Sequence, residues 1–173
     1  MRSILLICLL LVSGAGMRAQ IPELGVSKRM VDTCTINFDH PEAGDYIRLY
    51  ARNFLDDSAR GVVSPAFYDT LFMILEQLPD CTFEVASHTT SDGPAARNYK
   101  MSLRRSSFFV HYLVTYCGMK KERLQAVGYG ENCPLIQCTD GETCTPEQKE
   151  KNQRLEIMIL STGNEEQKTA QPD

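Results

Sequence analysis

Beyond its first twenty residues the chain has no hydrophobic run long enough to cross a bilayer, which takes about twenty consecutive apolar residues. At 173 residues it is also too short to hold an outer-membrane barrel beside a folded domain. None of its seven cysteines forms a C-x-x-C pair, which argues against a zinc centre. G-x-S-x-G, H-E-x-x-H and a phosphate-cradling glycine loop are all missing, so the expectation is no enzyme, no cofactor and no metal. Basic residues are in deficit, 18 against 22 acidic, for a net charge of −4. Loss of Arg2 and Arg18 with a leader would take the net charge to −6, which speaks against nucleic acid as a partner.

What is present begins with a leader. Residues 1–19 have the form of a signal peptide: Arg2, an apolar core from Ile4 to Val12, then small residues ending at Ala19. Export is therefore expected, with cleavage after Ala19 or Ala15. Cys8 lies inside the apolar core, too near the start to be a lipidated residue. Processing leaves six cysteines, an even number that reads as a disulfide framework in an exported chain. Cys138 and Cys144 are the favoured pair, because Thr139-Asp140-Gly141-Glu142 has tight-turn composition and closing so small a loop is worth about 2 kcal/mol. Cys34 and Cys81, each just before a possible strand, are a second candidate pair. Histidine does not add catalysis: paired cysteines offer no free thiol to a histidine base, so His88 is expected in a structural hydrogen bond and His111 as a partly exposed or packed residue of a helix.

The chain is organised around Phe83 to Arg105, FEVASHTTSDGPAARNYKMSLRR: a short alternating run, a Ser/Thr/Asp/Gly/Pro loop, and a basic helix-compatible segment. Such a junction gathers backbone N–H groups, an aspartate and several arginines, a setting for a carboxylate-bearing ligand. Ser87-His88-Thr89-Thr90, then Asn98, then Met101-Ser102-Leu103-Arg104-Arg105-Ser106 resembles the G-H-T-D…L-S-x-x-R-A signature of the OmpA-like, peptidoglycan-associated domain. Val110 to Gly118, Arg123-Leu124, Gly128-Tyr129-Gly130-Glu131 and Asn152-Gln153-Arg154-Leu155-Glu156-Ile157 continue that resemblance in order, over about residues 46–160.

The resemblance implies that an aspartate and an arginine grip the zwitterionic end of diaminopimelate in the peptidoglycan peptide stem, carboxylate to Arg and ammonium to Asp. Arg105 stands where the family arginine would be, whereas Thr90 replaces the aspartate and supplies no charge. Asp92, two residues on, either reaches the same pocket or serves as a turn or helix N-cap residue. The implied ligand residues are Thr90, Asp92, Asn98 and Arg105.

Element by element, residues 20–33 read as a linker; residues 46–55 fit a helical face as well as a strand face, the resemblance favours a strand, and on that choice CTINF (Cys34–Phe38) is an extra N-terminal strand. Ser64-Pro65 starts a helix whose stripe Phe67, Leu71, Ile74, Leu75 and Leu78 faces the core, with Pro79 as its stop. Cys81–Ala86 is the next strand, Asn98–Cys117 the second helix ending at Gly118, and Arg123–Tyr129 and Arg154–Leu160 the last strands. Residues 161–173 are a polar tail expected to be disordered. The fold class is α+β, and the resemblance implies an OmpA-like βαβαββ sandwich with helices on one face of a mixed sheet over residues 34–160.

Two functions follow. One is a non-catalytic periplasmic module, associated with the outer membrane or cell wall, that holds the peptide stem in a degenerate site. The other is an envelope module that keeps the fold, has lost that ligand and binds envelope proteins instead.

Overall fold

The computed structural model describes residues 31–50, 65–137 and 144–163. Five strands, β1 (Val31–Cys34), β2 (Tyr46–Tyr50), β3 (Cys81–His88), β4 (Leu124–Gly130) and β5 (Arg154–Thr162), form one sheet in the order β1-β2-β5-β3-β4. Only β3 and β4 run parallel. Parallel neighbours need a crossover, and α2 (Ala95–Thr115) supplies it. The other helices are α1 (Pro65–Leu75) and α3 (Pro146–Asn152).

Alternation along the strands sends one face to the helices. In register across the sheet, Ile47 of β2 lies opposite Ile157 of β5, which lies opposite Val85 of β3. Leu49, Leu155, Phe83 and Ile159 extend this apolar layer, and Leu71, Ile74 and Leu75 of α1 with Phe109 and Leu113 of α2 cover it. The stripe expected on the first helix is thus buried at Leu71, Ile74, Leu75 and Leu78. Gly118, at φ 79°, follows the end of α2 in a backbone conformation that a side chain resists. Arg123 finishes the other helix: its guanidinium donates to the carbonyls of Leu75 (3.0 Å), Leu78 (2.8 Å) and Cys81 (3.1 Å) and pairs with Glu76. One side chain therefore ties the end of α1, the turn after it and the first residue of β3 together.

Several boundaries differ from the sequence reading. The extra N-terminal strand exists but spans Val31–Cys34, so only Cys34 of CTINF belongs to it, and two residues assigned to the linker, Val31 and Thr33, pair with β2. Strand β2 covers Tyr46–Tyr50; residues 51–55 and the Ser64 cap lie outside the described residues. Helix α1 stops at Leu75, four residues before Pro79. Strand β5 runs to Thr162, which pairs with Cys81, so the first two residues of the expected tail are sheet. Helix α3, inside what read as a plain cysteine-bearing loop, was not anticipated.

The disulfide framework is also corrected. Cys34, Cys81, Cys117 and Cys133 are free thiols. Cys34 and Cys81 cannot meet, because β2 and β5 separate their strands by three sheet spacings, about 14 Å, twice the reach of a disulfide. Cys144 is not a free thiol, and its expected partner Cys138 lies outside the described residues. Among the described residues no helix is long and apolar enough to cross a membrane.

Candidate ligand groove

The loop between β3 and α2 is fixed from both ends. Thr89 donates its backbone N–H to the Gly130 carbonyl (2.9 Å), and Ser102 Oγ of α2 accepts the Gly130 N–H (2.8 Å). Ser102 thereby anchors the helix to the end of β4, which explains a buried serine in an otherwise packed face. Asn98, only 2% exposed, uses its side-chain amide to bind the Thr90 carbonyl (3.2 Å) and Glu131 Oε2 (2.6 Å). The loop, α2 and the β4 exit are held together by these two side chains.

Against this junction stands α3. Thr145 and Gln148 form a reciprocal capping box, Thr145 Oγ1 accepting from Gln148 N (3.3 Å) and Gln148 Oε1 from Thr145 N (2.8 Å), with Pro146 in the first turn. At its other end Asn152 exchanges two hydrogen bonds with the Ile136 backbone, 3.0 and 2.8 Å. Between the two lies an open groove of about 510 Å3. Thr90, Asp92, Arg97, Asn98 and Met101 line one side, Pro146, Lys149, Glu150 and Gln153 the other.

Of the four residues implied by the resemblance, Thr90, Asp92 and Asn98 lie together on this groove. Asp92 does not cap α2: Pro94 occupies the N-cap position with no side-chain cap bond. Its carboxylate instead crosses the groove to Lys149, Nζ to Oδ1 at 2.8 Å, and accepts from Thr90 Oγ1 at 3.1 Å. The Lys149 ammonium, with the Thr90 hydroxyl adding to it, holds the Asp92 carboxyl below the usual carboxylate range. Arg105 is elsewhere. It is 2% exposed, seven residues beyond Asn98 along α2 or about 10 Å of helix, and is not among the groove-lining residues. The sequence reading missed Lys149, Glu150 and Gln153 because it missed α3; Thr145-Pro146-x-Gln148 was the available signal.

A second polar cluster lies on the sheet face opposite the helices. Glu156 Oε1 accepts from Arg48 Nε (2.7 Å) and Arg154 Nε (3.0 Å), and its Oε2 lies 3.4 Å from His88 Nε2. The His88 ring stacks on Tyr129 at 5.0 Å, and Tyr129 donates to Glu84 (2.9 Å). Burial raises the Glu156 carboxyl, but the adjacent His88 ring and the hydrogen bonds from Arg48 and Arg154 outweigh it and hold the group far below its ordinary value. Burial also depresses His88, with Glu156 opposing and Arg154 and Arg48 reinforcing. The hydrogen bond expected of His88 is not formed: both ring nitrogens are buried without a hydrogen-bond partner among the described residues, and the ring is held by its stacking on Tyr129 and its 3.4 Å approach to Glu156.

Fold and site define an α+β module with an open polar groove at a strand, loop and helix junction. The profile of the OmpA family matches residues 63–153, more than half of the sequence, and the chain belongs to that family. Among similar proteins, outer membrane porin F of Pseudomonas fluorescens is 35% identical over 106 residues, covering 60% of this chain and 31% of the porin. The peptidoglycan-binding protein ArfA of Mycobacterium tuberculosis is 29% identical over 98 residues, covering 55% of this chain and 28% of that protein. The chain thus spans under a third of the length of these relatives. Among solved structures, the periplasmic domain of MotB (residues 64–256) superposes with a TM-score of 0.59 at 16% identity, over 93% of this chain and 92% of that one. The cell wall anchor of the type VI secretion system (T6SS) of Pseudomonas aeruginosa gives 0.58 at 17% identity, over 78% and 89%. The α+β expectation therefore holds at the level of family and fold.

Proposed function

We propose that this protein is a non-catalytic module of the bacterial envelope, exported to the periplasm, that binds the peptide stem of peptidoglycan. The observation that carries the reading is the groove itself, because it is built from the loop and helix that bear the family's motif. Family membership and a relative named as peptidoglycan-binding support the ligand class.

In this proposal Thr90, Asp92 and Asn98 line the ligand's path, and the loop amides and Arg97 meet its carboxylates. Arg97 is exposed and offers a guanidinium at the groove mouth. Arg105 supports α2 from within, so its replacement by Ala should cost stability as well as any ligand contact. Cleavage after Ala19 or Ala15, a domain over 34–160 and a Cys138–Cys144 bond complete the proposal.

Co-sedimentation of the purified full chain with isolated sacculi tests it. The chain should pellet with sacculi, and Arg97→Glu, a reversal on an exposed side chain, should cut the bound fraction several-fold at low salt. A folded chain that stays in the supernatant would remove the wall ligand and leave an envelope protein as partner.

A further inference from the structure

The groove's one aspartate is already engaged. Lys149 reaches across from α3 and places its ammonium 2.8 Å from Asp92 Oδ1, and the Thr90 hydroxyl takes the other oxygen at 3.1 Å. A free amine on a ligand would find at Asp92 an ammonium of the protein's own. To use that carboxylate it must expel Lys149, exchanging one ion pair for another of the same kind, and the displaced lysine then remains beside the incoming positive charge. The exchange gains nothing and the leftover repulsion opposes it. Arg97 is the other cation on the groove; it is exposed, and its charge meets an anion at no such cost.

We infer that Lys149 is a specificity-determining residue that makes the groove select a carboxylate whose neighbouring amine is acylated over one whose amine is free. In stem peptides this is the difference between a diamino acid already joined through its side-chain nitrogen to a neighbouring stem and one that is not. The inference rests on the wall-ligand reading above. It also assigns Asp92 a role opposite to that of an ammonium acceptor: it restrains Lys149, and without it Lys149 becomes a second cation for the carboxylate.

The test compares two probes on the full chain by calorimetry: a stem tripeptide ending in diaminopimelate with its distal amine free, and the same peptide acetylated there. The parent should bind the acetylated peptide about three- to tenfold more tightly. Lys149→Met should strengthen binding of the free-amine peptide by a similar factor and erase the preference. Asp92→Asn should strengthen binding of the acetylated peptide. Both positions are at the surface, and Lys149→Gln repeats the first variant without adding an apolar group.

Tighter binding of the free-amine peptide by the parent, or its loss in Asp92→Asn, would overturn the inference while leaving wall binding intact. Sacculi that bind the chain when neither peptide does would also overturn it. Failure of sacculi and both peptides alike would remove the wall-ligand reading and this inference with it.

Discussion

Gly128 sits in β4 where α2 passes closest. A Cβ added there would lie 2.6 Å from the Leu103 Cα and 2.7 Å from Ser102 Oγ, and nearer still to the Leu103 nitrogen. Those are backbone and anchored atoms, so helix and strand would have to part. Gly128→Ala should destabilise the fold by about 2 kcal/mol or more, seen as a lowered midpoint in denaturant, with the Ser102 to Gly130 bond disturbed. Glu156 works through charge instead. Its carboxyl is depressed below the ordinary value of 4.5, so its stabilisation is present above that pH and is lost as the pH falls further. His88 is depressed below 6.5; the unfolded chain binds that proton first, so stability also falls as pH drops below 6.5. Both effects have the same sign. The parent's thermal midpoint should decline from pH 7 to pH 4, and Glu156→Gln should be less stable by about 2 kcal/mol at pH 7 yet show a flatter acid limb below 4.5.

At the scale of elements, α3 decides the shape of the groove and depends on its cap. Thr145→Ala removes the side-chain half of the capping box and should cost about 1 kcal/mol. Amide exchange in Pro146–Asn152 should quicken while that of β3 does not, since a seven-residue helix has little internal stability of its own. The elements that were easy to read from sequence are those whose pattern and burial agree: α1 with its stripe, β3 and β5 with runs facing the core, and α2 ended by Gly118. Helix α3 was hard to read because PEQKEKN has no apolar stripe, and only its cap marks it. The CTINF strand was misplaced because alternation continues past Cys34, whereas the pairing with β2 starts earlier and carries a register irregularity between Val31 and Thr33. Pattern alone fixes neither pairing partner nor register.

For the whole molecule, composition and motif order pointed to the family and to the junction that carries the groove. Neither could show that Lys149, fifty-seven residues away in sequence, takes the carboxylate of Asp92, because that contact is made by tertiary folding. Nor could spacing along α2 show that Arg105 lies inside the protein rather than on the groove. The central claim is that this groove, and no other face, holds the wall peptide. Its most direct test is an amide and side-chain chemical-shift map of the isotopically labelled chain titrated with a soluble peptidoglycan fragment. The account predicts saturable shifts concentrated at Thr90, Asp92, Arg97, Asn98 and Lys149, with the exposed Met73 and Tyr116 unchanged. Saturable shifts centred on Met73 and Tyr116, with the groove silent, would contradict it.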